Sequence, residues 1–247
     1  MKIRIAHYLN SFANKLYYLS DLVRSFSFSK MQPINQSSFV RERYILNKSI
    51  AKLKDSSNVY FQGYPYQSLG ILNIFGDRET EDRFNEYRLI KYIKPDDNIL
   101  DLGCNTGFLL LYTCMLTRSN GLGVDHNKKA IEIGQKATKL LKLENQVEFK
   151  CEDISSFSIK QKYNCVFSMA TYWTDDKGYR VDLFSHLERI SHLLDNKGLV
   201  FFETHAADYN SNEIIAVLKK LESTFEIIFS CDSDFNTRNF FILQRFF

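Results

Sequence analysis

From Asn98 onward the sequence predicts an α/β protein built on a doubly wound, mostly parallel sheet, and three observations carry that expectation. Short apolar runs of strand length, at 98–102, 121–125, 146–150, 164–169 and 198–204, alternate with longer segments of helical periodicity at 107–118, 127–142, 178–194 and 211–222. The first run passes into its helix through Gly103 and Gly107. Acids then fall at or just beyond the ends of the first three runs, at Asp101, Asp125 and Asp153, where ligands of open α/β sheets bind. Two last runs, 225–230 and 239–246, read as a closing antiparallel pair.

The segment before the sheet is helical in pattern. Residues 1–30 place Ile5, Leu9, Phe12, Leu16, Leu19, Val23 and Phe26 three to four apart and carry Lys2, Arg4, Lys15, Arg24 and Lys30 against Asp21. This spacing predicts a basic amphipathic helix, able to pack on its own domain or to lie on an anionic membrane surface. Polar residues around Pro33 predict a linker over 31–42, and a short helix follows at 41–54. Tyr60 to Leu69 reads as an aromatic, polar loop turning at Gly63 and Pro65. A helix with an apolar face of Phe84, Tyr87, Ile90 and Ile93 then runs to Pro95, which ends it. The expected division is a helical extension over 1–58 and a ligand-binding domain over 59–247.

Bulk properties exclude several classes. A chain of 247 residues buries one sizeable core, and 25% charged with 45% apolar residues is ordinary for a globular protein. The net charge of +3 does not by itself argue for nucleic acid. Five cysteines form no Cys-x-x-Cys pair, so buried thiols in a reducing cytoplasm are expected, with neither a metal nor a disulfide framework. No window is long and apolar enough to span a bilayer, and the N-terminus lacks the pattern of a signal peptide. The expected location is the cytoplasm, with the inner membrane face as the place for residues 1–30 to dock.

The glycine loop narrows the ligand. Asn98-Ile-Leu-Asp-Leu-Gly-Cys-Asn-Thr-Gly107 lacks the middle glycine of a dinucleotide fingerprint, because position 105 is Asn. Glycines permit a tight turn and close approach of a ligand, and the following helix is expected to offer its N–H groups to that ligand. The pattern Asp-x-Gly-x-x-x-Gly resembles motif I of the class I S-adenosylmethionine-dependent methyltransferases. Upstream, Tyr64-x-Tyr-Gln-Ser followed by Arg78-x-Thr80-x-x-Arg83-Phe84 resembles the Y-Q-S…G-x-R-x-T-x-x-R-F segment of a bacterial subset of that family. Together the resemblance covers about residues 60–205. It implies a Rossmann-like, seven-stranded, mostly parallel sheet with a terminal antiparallel hairpin, S-adenosyl-L-methionine as cofactor, and methyl transfer as the activity.

The same resemblance implies roles for individual residues. Asp101, Gly103 and Gly107 would face the methionine part of the cofactor, and Asp153 or Glu152, with Ile154 over the ring, would meet the adenine. Asp125 can accept both ribose hydroxyls, and an N-cap of the next helix is its alternative role. Cys104, Asn105, His126 and Met169 complete the expected cofactor-binding set. Arg78 can clamp a carboxylate, either the cofactor's methionyl end or an acidic substrate, with a surface ion pair to Glu79 or Glu81 as the alternative. Tyr172 and Trp173 would offer aromatic faces to the sulfonium, or form a lid over the core. Glu203 and His205 end the fifth run and with Tyr172 make the expected catalytic set, in which His205 could serve as a general base for a hydroxyl acceptor. The expected acceptor is a small molecule or a saccharide, lipid-linked in keeping with the basic first helix. RNA, a non-catalytic nucleotide binder and a nicotinamide oxidoreductase are the alternatives.

Overall fold

The computed structural model describes residues 36–52, 60–61, 64–174, 179–233 and 237–247. The amphipathic segment expected over 1–30 lies outside the described residues. The chain divides into two units, Met1–Asn47 and Lys48–Phe247, and the second contains the sheet. Helix α1 (Gln36–Ala51) begins inside the stretch expected as a linker, correcting the boundary for residues 36–42.

After the short strands β1 (Tyr60–Phe61) and β2 (Tyr64–Pro65), seven strands form the sheet: β3 (Asn98–Leu102), β4 (Asn120–Asp125), β5 (Val147–Cys151), β6 (Tyr163–Met169), β9 (Leu194–Glu203), β10 (Phe225–Ser233) and β11 (Arg238–Arg245). Their order is β10-β11-β9-β6-β3-β4-β5. The β9, β6, β3, β4 and β5 pairings are all parallel, and β11 enters antiparallel between β9 and β10. The order reverses between β3 and β6, which puts the topological switch point, and hence the ligand crevice, at the end of β3. This is the doubly wound, Rossmann-like sheet expected, hairpin included.

Alternation along the strands sorts the two faces. Leu100 and Leu102 of β3, Val166 of β6, and Val200 and Phe202 of β9 join Leu187 and Ile190 of α6 (Leu183–Ser191) and Ile214 and Val217 of α7 (Asn212–Lys220) in one core. Asp101 and Glu203, one residue out of phase with those leucines and phenylalanines, look to the opposite face. On that side lies α4 (Phe108–Thr117), whose Phe108, Leu109, Leu110, Leu111 and Cys114 are all buried. It packs on β4 and beneath α2 (Thr80–Glu86), so it is apolar on every side.

Three local departures have physical causes. The helix expected up to Pro95 breaks into α2 and α3 (Leu89–Tyr92), because Arg88 adopts a left-handed φ of 54° and stacks its guanidinium 4.8 Å from the Phe229 ring centroid. The segment expected as helix from 178 starts as β8 (Tyr179–Arg180), paired with β7 (Trp173–Thr174), and the helix begins only after its Asp182 cap. The strand expected from 198 starts already at Leu194, and the pairing of β9 to β6 jumps from Tyr163–Leu194 to Cys165–Leu199. Asn164 fills the irregularity, accepting from Asn98 N–H at 2.8 Å and donating to Asp195 at 3.2 Å.

Candidate active site

The loop between β3 and α4 needs a left-handed backbone at three positions: Gly103 and Gly107 have φ of 68° and Asn105 has 56°. The N–H groups of Gly103 and Cys104 donate to the Val124 carbonyl at 2.8 and 3.1 Å, and this pins the loop to the end of β4. A Cβ on Gly103 would sit 2.5 Å from the Thr171 methyl, and one on Gly107 2.1 Å from the Phe149 ring. The room left by the missing Cβ atoms is therefore filled by protein side chains. A ligand can meet these glycines only through their backbone.

Asp125, at the end of β4, ties two loops together. One carboxylate oxygen accepts from Asn105 N–H and the other from Asn127 N–H, both at 2.8 Å. The helix cap considered for Asp125 belongs instead to Asn127, which accepts from the N–H groups of Lys129 and Ala130 at the start of α5 (Lys128–Leu141). His126 is exposed, with Nδ1 3.8 Å from Asp125. Cys104 is buried beneath the loop, and burial pushes its thiol well up, so it is an inert apolar contact. Asp153 is exposed and accepts from the N–H and hydroxyl of Ser155, while Ile154 packs against the core. Met169 ends β6 opposite Glu203.

Asp101 is only 3% exposed, and among the described residues no hydrogen bond reaches its carboxylate. Burial, reinforced by the nearby charge of Asp125 and opposed by Arg83, raises its pKa to about 8. A carboxyl so placed gains from a cationic ligand.

Glu203 is the opposite case. It accepts from Arg78 at 3.1 and 3.3 Å, from Arg83 at 3.2 Å, from Arg238 at 3.2 Å, and from a short contact with the Tyr87 hydroxyl. Burial would raise its pKa, but Arg83, Arg78 and Arg238 together hold it at about 2. This differs from two expectations: Arg78 pairs with Glu203, and Glu203 lies inside a buried cluster of three guanidinium groups and the Tyr87 hydroxyl.

The expected catalytic aromatics and base are also placed differently. Tyr172 is a core residue: its ring lies 5.7 Å from that of Phe202, and its hydroxyl donates to Asp208 at 2.7 Å and accepts from His205 N–H at 3.1 Å. A ring buried on all sides offers no face to a sulfonium. The Trp173 side chain lies outside the described residues. His205 Nδ1 accepts from Ala207 N–H at 3.1 Å, which puts the proton of the neutral ring on Nε2. In this geometry, taking up a proton at Nδ1 would break the Ala207 contact.

Gln67 is the residue that sequence reasoning missed. Its amide oxygen accepts from Phe108 N–H at 2.9 Å and from the Thr106 hydroxyl at 3.2 Å, and its amide nitrogen donates to the Cys104 carbonyl at 3.2 Å. The Phe108 N–H expected to face a ligand is thus already taken. Next to it, Ser68 accepts from Thr80 N–H at 3.1 Å, and the Thr80 hydroxyl donates back to the Ser68 carbonyl at 2.6 Å. Residues 65–83 form a strap that grips the glycine loop at one end and Glu203 at the other. The Tyr-Gln-Ser string was the available signal, but its chemistry is visible only once the loop is folded beside it.

Comparison with known proteins agrees with this arrangement. Residues 93–236, more than half of the chain, match the family model described as a methyltransferase domain. The chain belongs to that family, whose cofactor is S-adenosyl-L-methionine. Over 112 residues it is 31% identical to malonyl-[acyl-carrier protein] O-methyltransferase 1 of Ilyobacter polytropus, a match covering 45% of this chain and 39% of the relative. A Listeria monocytogenes protein assigned to the class I S-adenosylmethionine-dependent methyltransferases superposes with a TM-score of 0.57 at 17% identity, over 68% of this chain and 60% of that one. A Geobacter sulfurreducens methyltransferase in complex with S-adenosyl-L-homocysteine gives 0.52 at 15% identity, over 64% and 68%. The chain spans about two fifths of the curated relative's length and three fifths of the Listeria protein's.

Proposed function

We propose that residues 59–247 transfer a methyl group from S-adenosyl-L-methionine to a small-molecule or saccharide acceptor, with residues 1–58 as a helical extension. The observation that carries this reading is Asp101, a buried carboxyl without a hydrogen-bond partner among the described residues, close enough to Asp125 to feel its charge. Two carboxylates beside a glycine loop suit a cationic cofactor and oppose a pyrophosphate. Asp101 would hold the methionyl ammonium, and the backbone of residues 103–107 the adjoining atoms. Asp125 would accept the ribose hydroxyls while keeping the Asn105 and Asn127 contacts that shape the crevice. Asp153, Ile154, His126 and Met169 would border the adenine and ribose.

The cofactor supplies an already activated methyl group, so the chain's own contribution is to position the acceptor and exclude water. With the His205 lone pair committed to Ala207, an acceptor that arrives as a nucleophile, a carboxylate or an amine, fits better than a sugar hydroxyl. The Ilyobacter relative is named as an O-methyltransferase of malonyl-[acyl-carrier protein], which is compatible with an oxygen acceptor on a small acyl group. No helix among the described residues is long and apolar enough to cross a membrane, and peripheral docking through residues 1–30 belongs to the same proposal.

Calorimetric titration tests the reading. The wild-type chain is expected to bind S-adenosylmethionine and its demethylated product but not NAD, and Asp125→Ala is expected to lose most of that affinity. Unchanged affinity in the variant rejects the site. Comparing metabolites of cells with and without the chain, for species differing by one methylene in mass, identifies the acceptor.

A further inference from the structure

We infer that Gln67 is the positioning residue of the cofactor loop, and that its amide occupies the helix N-terminus that a phosphate-binding loop leaves open. The inference rests on the cofactor reading above.

Three hydrogen bonds from one buried side chain span the loop. They reach the Cys104 carbonyl, the Thr106 hydroxyl and the Phe108 N–H, and so fix both sides of the left-handed Asn105. Asn105 N–H is the group that meets Asp125, so Gln67 also sets where the ribose-side carboxylate is held. In a dinucleotide site the first helical N–H groups and the helix dipole receive a phosphate. Here the neutral amide oxygen satisfies Phe108 N–H within the protein, and a phosphate oxygen would have to displace it. A zwitterionic, cationic cofactor makes no such demand. The loop is therefore specific in two ways, by the two acids that attract a cation and by the amide that blocks an anion.

Gln67 is itself held by the strap. Its backbone pairs in parallel with Arg78, and Ser68 N–H donates to the Arg78 carbonyl at 2.9 Å. Arg78 in turn is anchored on Glu203. A side chain that must hold three loop atoms at once needs such a rigid base.

The test compares the wild type with Gln67→Met, which keeps the volume without the hydrogen bonds, and with Gln67→Glu, which keeps the acceptor toward Phe108 and Thr106. In the ligand-free protein, amide exchange at Phe108 is expected to quicken in Gln67→Met and to stay near wild type in Gln67→Glu. The dissociation constant for S-adenosylhomocysteine is expected to rise about tenfold in Gln67→Met, the loss of roughly one hydrogen bond's net contribution, and less in Gln67→Glu. In a third variant, Gln67→Ala, which removes both the hydrogen bonds and the bulk over Phe108 N–H, pyrophosphate is expected to raise the melting temperature while leaving the wild type unchanged. Wild-type exchange and affinity in Gln67→Met would overturn the inference, as would a general loss of protection across the sheet. If the wild type does not bind S-adenosylhomocysteine, the cofactor reading fails, and the exchange and pyrophosphate arms still decide the role of Gln67.

Discussion

Asp101 and Glu203 are both buried acids at the carboxyl ends of parallel strands, on the same face of the sheet, yet their surroundings push them in opposite directions. Glu203 is fully buried among Arg78, Arg83, Arg238 and Tyr87, and its pKa is held at about 2. Asp101 has the long-range attraction of Arg83 alone against desolvation and Asp125, and its pKa rises to about 8. The contrast separates a carboxylate that the protein has satisfied for itself from one without a hydrogen-bond partner among the described residues. The first holds structure together; on the proposed reading the second would bind the cofactor's ammonium.

The largest expected effect breaks the satisfied acid. Glu203→Gln leaves three guanidinium groups without their charge partner and should cost ~3–5 kcal/mol of stability, read as a lower urea midpoint at unchanged slope. A loss under about 1 kcal/mol would mean that the arginines find other partners, and the comparison would fail. Because its folded pKa lies below the unfolded value, the stability Glu203 contributes is present above the ordinary carboxylate range and is lost as pH falls toward about 2.

Asp101→Asn should act in the reverse sense. Removing an unsatisfied buried acid leaves the ligand-free unfolding midpoint unchanged or higher, while affinity for S-adenosylmethionine falls by ~1.5–3 kcal/mol, roughly ten- to a hundredfold, measured by calorimetry. A variant that loses stability but keeps affinity would place Asp101 with the structural acids.

The smallest effect sharpens the comparison by proton count. The folded pKa of Asp101 is raised, so its contribution to stability is present below the unfolded pKa and is lost as pH rises through about 8. Near neutral pH it is mostly protonated, and a bound ammonium should expel close to one proton. Calorimetry in two buffers of different ionisation enthalpy reads this number directly, and Asp101→Asn should abolish it.

The sheet was legible in the sequence because its signals are local. Each parallel strand is a short apolar run, each helix has its own period, and Asp101, Gly103 and Gly107 mark a strand-to-helix turn with left-handed backbone. The strand order was carried by the resemblance to a family. What was not legible depends on side chains meeting across long separations. Nothing in the pattern around Arg78 says that its partner is Glu203, and Glu203 reads as a strand-end acid like Asp125 until Arg83 and Arg238 arrive beside it. Tyr172 follows a strand as an exposed aromatic would, and only the packing of Phe202 and the position of Asp208 make it a core residue. His205 kept its place at the strand end, but its Nδ1 is engaged by a local hydrogen bond from Ala207, a contact that propensity does not report.

The strap also bears on how the chain reaches its fold. Gln67 meets its loop 37 residues later, but Arg78 meets Glu203 only 125 residues on. During synthesis the guanidinium of Arg78 therefore waits for all the parallel strands to emerge before it meets Glu203, and a chain halted before β9 leaves the strap held only at its glycine-loop end and by nearer contacts. Contacts this distant are late and cooperative in folding. The cofactor loop should thus take its final shape only when the last parallel strand docks, so that a truncated or half-folded chain cannot capture the cofactor.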